Sequence, residues 1–182
     1  MFHGDIVSHR WELTLQNLPE EGYFWDTLIS PREINEVSAT AAEPVEGLVE
    51  DVVWQGSLVR KGQVFRLTGQ WQACIRRTCC RCLRSFDWHV AGDLERDFQL
   101  GVTGPDECMD DVLDPPGHIS LVDILREEIW LSWRSDVICR EDCAGLCSGC
   151  GVNLNASSCR CKKVDDDHPF AVLRQLDLGK DH

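Results

Sequence analysis

The sequence predicts an α+β protein: an antiparallel β meander or partly closed barrel, a few short helices, and a Cys-rich C-terminal metal-binding tail. Three observations carry this. From Leu48 to Leu100 apolar residues follow strand patterns, most cleanly over 86–100. There Phe86, Trp88, Val90, Leu94, Phe98 and Leu100 take even positions, and Asp87, His89, Asp93, Glu95 and Asp97 take odd ones. A helical period replaces this pattern after Ser120, and six of the 11 cysteines then crowd into residues 139–161. Strands followed by a helix point to α+β rather than to an alternating α/β fold.

Each element has its own signal. Trp11-Glu12-Leu13-Thr14-Leu15 alternates as a half-buried strand does. Ser30-Pro31-Arg32-Glu33 starts a short helix: Ser30 caps, Pro31 takes the first helical position, Glu33 closes a capping box, and Ile34 and Val37 share one face. Leu48, Val49, Val52, Val53 and Trp54 form an apolar strand run. Arg60-Lys61-Gly62 marks a hairpin turn before Val64-Phe65-Arg66-Leu67, and Trp71 to Ile75 continues the β pattern. Gly92 interrupts the even face of 86–100 and is read as a bulge. Residues 104–117, with Pro105, Pro115 and Pro116, read as an acidic loop. Ser120 then caps a helix with Asp123 three residues on and Ile119/Ile124 as a staple. Leu121, Ile124, Leu125 and Ile129 form its buried stripe, extended by Trp130 and Trp133. A last short helix is expected near Pro169, packing Phe170, Leu173 and Leu176. Residues 1–134 are expected to form the core domain, and 135–182 the tail.

The 182 residues carry a net charge of −13, with 43% hydrophobic and 27% charged residues, too apolar for a disordered chain. No apolar run approaches a membrane span, and Met1-Phe2-His3-Gly4-Asp5 has neither the basic nor the apolar region of a signal peptide. A soluble, cytoplasmic protein is expected. In a reducing compartment, clustered cysteines point to metal ligation or thiol chemistry rather than to disulfides.

The tail reads Cys139-x3-Cys143-x3-Cys147-x2-Cys150-x8-Cys159-x-Cys161. Cys147-Ser148-Gly149-Cys150-Gly151 has the form of a zinc knuckle: two thiolates three residues apart reach one cation from a tight turn. Cys159 and Cys161 supply the other two tetrahedral positions, and Cys139 and Cys143 stand as alternates. Four thiolates suit zinc best, with an iron–sulfur cluster as the weaker fit. Cys79-x2-Cys82, with Cys74 and Cys80 beside it, leaves three readings open: half of a second metal site, a redox pair, or thiols packed at a strand end. Cys108 stands alone in the acidic loop.

The acidity hides a basic middle. Residues 57–92 hold seven basic side chains and one acidic one. Arg76, Arg77, Arg81 and Arg84 are interleaved with Trp71, Phe86 and Trp88, a pattern that suits RNA contacts. A solvated face paired with the chain's own carboxylates is the plainer reading, and the net charge opposes phosphate at long range. A basic ribosomal protein docking on acidic surfaces is equally compatible. No phosphate loop, His-Glu-x-x-His or nucleophile elbow occurs. The six histidines are scattered, and Asp110-Asp111 and Asp165-Asp166-Asp167 fall in loop-like sequence. No enzyme is expected.

Cys79-x-Arg81-Cys82-Leu83-x-x-Phe86, Arg126-Glu127-Glu128-Ile129, Cys139 to Cys143, Gly145-Leu146-Cys147-x-x-Cys150-Gly151-x-Asn153-Leu154-Asn155 and Pro169-Phe170-Ala171-Val172-Leu173 occur in one order. In this the chain resembles the YceD family, the large ribosomal RNA subunit accumulation proteins. The resemblance implies a role in synthesis, processing or stability of 23S rRNA, in bacteria and plant organelles. The chain departs from many relatives at His168-Pro169-Phe170, where they have Asp-Pro-Arg. Tail cysteines vary among members, which implies that Cys79 and Cys82 mark the shared functional surface and that the tail metal is a staple. The leading expectation is a non-enzymatic ribosome-biogenesis factor with a zinc ion. It meets large-subunit rRNA or its precursor directly or through a ribosomal protein, without membrane or small-molecule substrate. The competing reading is a zinc–thiol redox sensor or chaperone.

Overall fold

A computed structural model describes residues 11–36, 43–101 and 112–161. The chain divides into two compact units. Residues through Cys80, with Arg84–Cys139, form the first; Arg81–Leu83 and the residues from Arg140 onward form the second.

Among the described residues the first unit holds all the strands and α-helices: β1 (Glu12–Thr14), β2 (Tyr23–Ile29), α1 (Pro31–Asn35), β3 (Val52–Lys61), β4 (Val64–Thr78), β5 (Ser85–Leu100), β6 (Val112–Leu113), β7 (His118–Ser120) and α2 (Leu121–Leu131). β2 to β6 make one sheet in sequence order, antiparallel except for the parallel β5–β6 pair, and β1 pairs with β7. The expected α+β meander is present as a curled half-barrel.

The capping box at Ser30 is formed as its sequence predicts: Ser30 Oγ accepts from the Glu33 N–H at 3.3 Å, and Glu33 Oε2 accepts from the Ser30 N–H at 3.0 Å. At α2, Ser120 Oγ accepts from the Asp123 N–H at 3.4 Å. Ile119, Leu121, Ile124, Leu125 and Ile129 are all buried. Asp123 turns its carboxylate to Arg126 at 2.7 Å, and Arg126 is 1% exposed. Arg126 also donates to the Ile34 and Glu36 carbonyls at 2.6 and 3.1 Å, which satisfies a buried cation and pins the end of α1.

Three readings change. β2 carries no strand expectation from the sequence, yet it pairs with β3 along its whole length. Residues 64–78 are one continuous strand, not two segments. Gly92 is no bulge, because the β4–β5 register runs unbroken through Trp71↔Gly92. A Cβ there would lie 2.8 Å from the Trp71 ring, so the glycine makes room for an indole lying across it. Trp25 covers Gly56 in the same way, with 2.5 Å to the nearest ring atom. Trp25, Trp54 and Trp71 thus roof the inner face of the sheet and are at most 8% exposed. Val37, most of the acidic loop with Cys108, and the segment from Pro169 lie outside the described residues.

Candidate metal centre

The described part of the second unit has almost no apolar interior. Among residues 140–161 only Cys143 and Gly145 are buried. Its order comes from turns and side-chain ties. The Cys147 N–H donates to the Val152 carbonyl at 2.8 Å, and the Gly151 N–H to the Cys147 carbonyl at 2.9 Å, closing the knuckle around Gly151, whose φ is 71°. Asn155 is the clasp. Its Oδ1 accepts from the Ala144 N–H and the Arg140 guanidinium, each at 2.8 Å, and its Nδ2 donates to Cys143 Sγ at 3.4 Å. The sequence quotes Asn155 as part of a motif but carries no signal for this role, since the contacts span up to 15 residues of irregular chain.

The knuckle gathers Cys147, Cys150, Cys159 and Cys161, whose sulfurs all lie within 4.8 Å of one another. Cys147 Sγ is 3.2 Å and Cys150 Sγ 3.5 Å from Cys159 Sγ. A tetrahedron with Zn–S bonds of about 2.3 Å has edges of about 3.8 Å, so the set fits one such ion. The Gly149 N–H points to Cys147 Sγ at 3.3 Å and the Cys161 N–H to Cys159 Sγ at 3.1 Å, so backbone dipoles favour thiolate. Donation from the Cys150 backbone, helped by the Cys159 thiol and the Gly149 N–H, lowers the Cys147 thiol to about 6. Sharing protons with Cys159 first, and then Cys150, pushes Cys161 up to about 12. A divalent cation among the four sulfurs would relieve the proton sharing that raises Cys159 and Cys161.

Cys79, Cys82, Cys139 and Cys143 form a second set, again with all sulfurs within 4.8 Å, and three of the four are buried. Cys139 and Cys143, alternates for the knuckle by sequence spacing, instead stand with the Cys79/Cys82 pair. Of the three readings left open for that pair, its place in a four-thiol set favours metal. The ten described cysteines are thiols, not disulfides.

The arginines are less uniform. Arg76 forms an ion pair with Asp87, its register partner on β5. Arg77, on the opposite face of β4, stacks on Trp133 with 3.7 Å to the ring centre, lies 5.4 Å from the Trp88 ring centre, and donates to the Arg134 carbonyl at 2.7 Å. Arg81 donates to the Cys143 carbonyl at 3.3 Å. Arg84 is exposed. Two of the four are therefore engaged within the first unit, and one within the second.

The architecture and the sites define a strand-rich α+β protein with two four-thiol sets able to hold metal. The chain belongs to the family described as large ribosomal RNA subunit accumulation protein YceD, whose profile matches residues 67–177. It is 44% identical over 57 residues to a maize protein named large ribosomal RNA subunit accumulation protein YCED homolog 1, chloroplastic, covering 29% of this chain and 20% of that one. The Arabidopsis thaliana protein of the same name is 31% identical over 70 residues, covering 37% and 22%. The chain thus spans about a fifth of the length of these curated relatives. No solved structure matches it. No described helix is long and apolar enough to cross a membrane.

Proposed function

We propose that the chain is a non-enzymatic, zinc-bound, cytoplasmic factor of large-subunit ribosome assembly that supports the synthesis, processing or stability of 23S rRNA. Family membership supports the process, and the knuckle supports the metal. One observation carries the zinc: four thiols converge in a segment whose described residues bury almost nothing else, so metal binding is the available source of folding energy. In this reading the ion holds the tail as a fixed surface and takes no part in chemistry. The test is a depletion strain in which large- and small-subunit rRNA are quantified together. The ratio of large to small should fall, wild-type protein should restore it, and Cys147→Ser should not. An unchanged ratio on depletion overturns the proposal.

A redox sensor is the second reading, favoured by the acid Cys147 thiol 3.2 Å from Cys159. Zinc release by mild peroxide, reversed by thiol reductant, distinguishes it from a structural site, which resists such treatment.

A further inference from the structure

The outer face of the main sheet carries a trough of ≈ 730 Å³ that none of the functions above uses. The register sets its shape. Asp26, Gln55, Gln70 and Asp93 line up across four strands, and Phe24, Ser57, Thr68 and Glu95 form the adjacent row. Its floor is low because its polar side chains lie against one another. Gln55 donates to Gln70 at 3.1 Å, Gln70 donates to Asp93 at 3.0 Å, and the Ser57 and Thr68 hydroxyls meet at 3.1 Å. Phe24 stands at one end, 64% exposed, and Leu28, four residues further along the same edge strand and beyond Asp26, is 60% exposed. Three carboxylates line the trough and no lining residue is basic, though one of the three, Glu95, is ion-paired with Arg66 at 3.4 Å.

We infer that this trough binds an extended cationic segment of a partner protein, with Arg or Lys side chains on Asp26, Asp93 and Glu95 and an apolar neighbour against Phe24. Four strands span about 14 Å, the length of about four extended residues. Charge decides the class of occupant: three carboxylates against the single guanidinium of Arg66, which pairs with Glu95, leave the trough net negative, and this repels a phosphate backbone and attracts a basic chain. An Arg side chain suits both parts, stacking on Phe24 and pairing with a carboxylate. The inference stands apart from the rRNA role and does not require it.

The full chain is titrated at low salt with a fluorescent peptide of Arg-Leu-Lys-Gly repeats. Two triple variants of equal charge change are compared: Asp26→Asn/Asp93→Asn/Glu95→Gln in the trough, and Glu12→Gln/Glu20→Gln/Glu21→Gln elsewhere, with Trp fluorescence confirming that both fold. Binding should weaken about tenfold in the trough variant and stay unchanged in the other. Phe24→Ser should also weaken it. Equal weakening in both triples, no difference from wild type, or no measurable binding to the wild-type chain overturns the inference. So does a single-stranded RNA that competes the peptide from the trough.

Discussion

Arg77→Ala separates a structural arginine from a binding one. The guanidinium lies 3.7 Å from the Trp133 ring centre and is half-buried, a cation–π contact of about 1–2 kcal/mol. Its donation to the Arg134 carbonyl at 2.7 Å adds about 1.5 kcal/mol. Against these stands desolvation, which lowers the Arg77 pKa, and a buried Nη1 with no partner, together about 1 kcal/mol. The net loss on truncation is about 2 kcal/mol, or about 4–8 °C in Tm for a chain of this size. Exposed Arg84→Ala is the control and should stay within about 0.5 kcal/mol. All seven tryptophans precede Arg140, so a melt followed by Trp fluorescence reads the first unit alone. Equal Tm values for the two variants would refute the stacking argument. They would also return Arg77 to the set of candidate RNA contacts.

Cys147→Ser should remove one zinc per chain by elemental analysis and expose the tail to protease, while the Trp-detected melt stays in place. Cys79→Ser should remove a separate equivalent and leave the knuckle's zinc in place. Arg66 holds the Asp97 carboxyl below its ordinary range through bonds of 2.7 and 2.6 Å. A depressed pKa in the folded state adds stability above the unfolded pKa of about 3.9, and this is lost as pH falls through the folded value. Wild type should therefore melt above Asp97→Asn at neutral pH, and the difference should vanish in strong acid. Gly92→Ala places a Cβ 2.8 Å from the Trp71 ring and should cost about 1–3 kcal/mol, with a change in Trp emission.

What the sequence reveals depends on the range of the interaction. The Ser30 box spans four residues and reads directly, as does the even face of β5, where Leu94 and Phe98 are buried and Asp93 and Glu95 exposed. The knuckle is legible for the same reason: its four ligands fall within 15 residues, Cys147 to Cys161. Cys79 and Cys82 meet Cys139 and Cys143 across nearly sixty residues, and nothing local says which cysteines pair over such a gap. Gly92 misleads because a missing side chain signals equally a bulge or a neighbour that needs the space; only the register, with Trp71 opposite, tells them apart. β2 escapes notice because exposed Phe24 and Leu28 share its outer face with Asp26 while Trp25 and Ile29 are buried, so apolar residues fall on both faces and the alternation is lost.

Those exposed residues and the thiol sets share one physical logic. The first unit gains its stability from a closed inner face roofed by tryptophans, so its outer face is free to carry an apolar edge and a polar floor without loss of the fold. The described part of the second unit has no such reserve, since it buries only Cys82, Cys143 and Gly145. A segment that small needs a staple in place of a core. Four converging thiols supply it, and the Gly149 and Cys161 N–H groups hold the Cys147 and Cys159 sulfurs ready. Removing the metal should therefore leave the first unit's inner core intact and dissolve the tail's surface. If family function requires that surface, chelation should abolish it at a temperature where the Trp-detected melt has not begun.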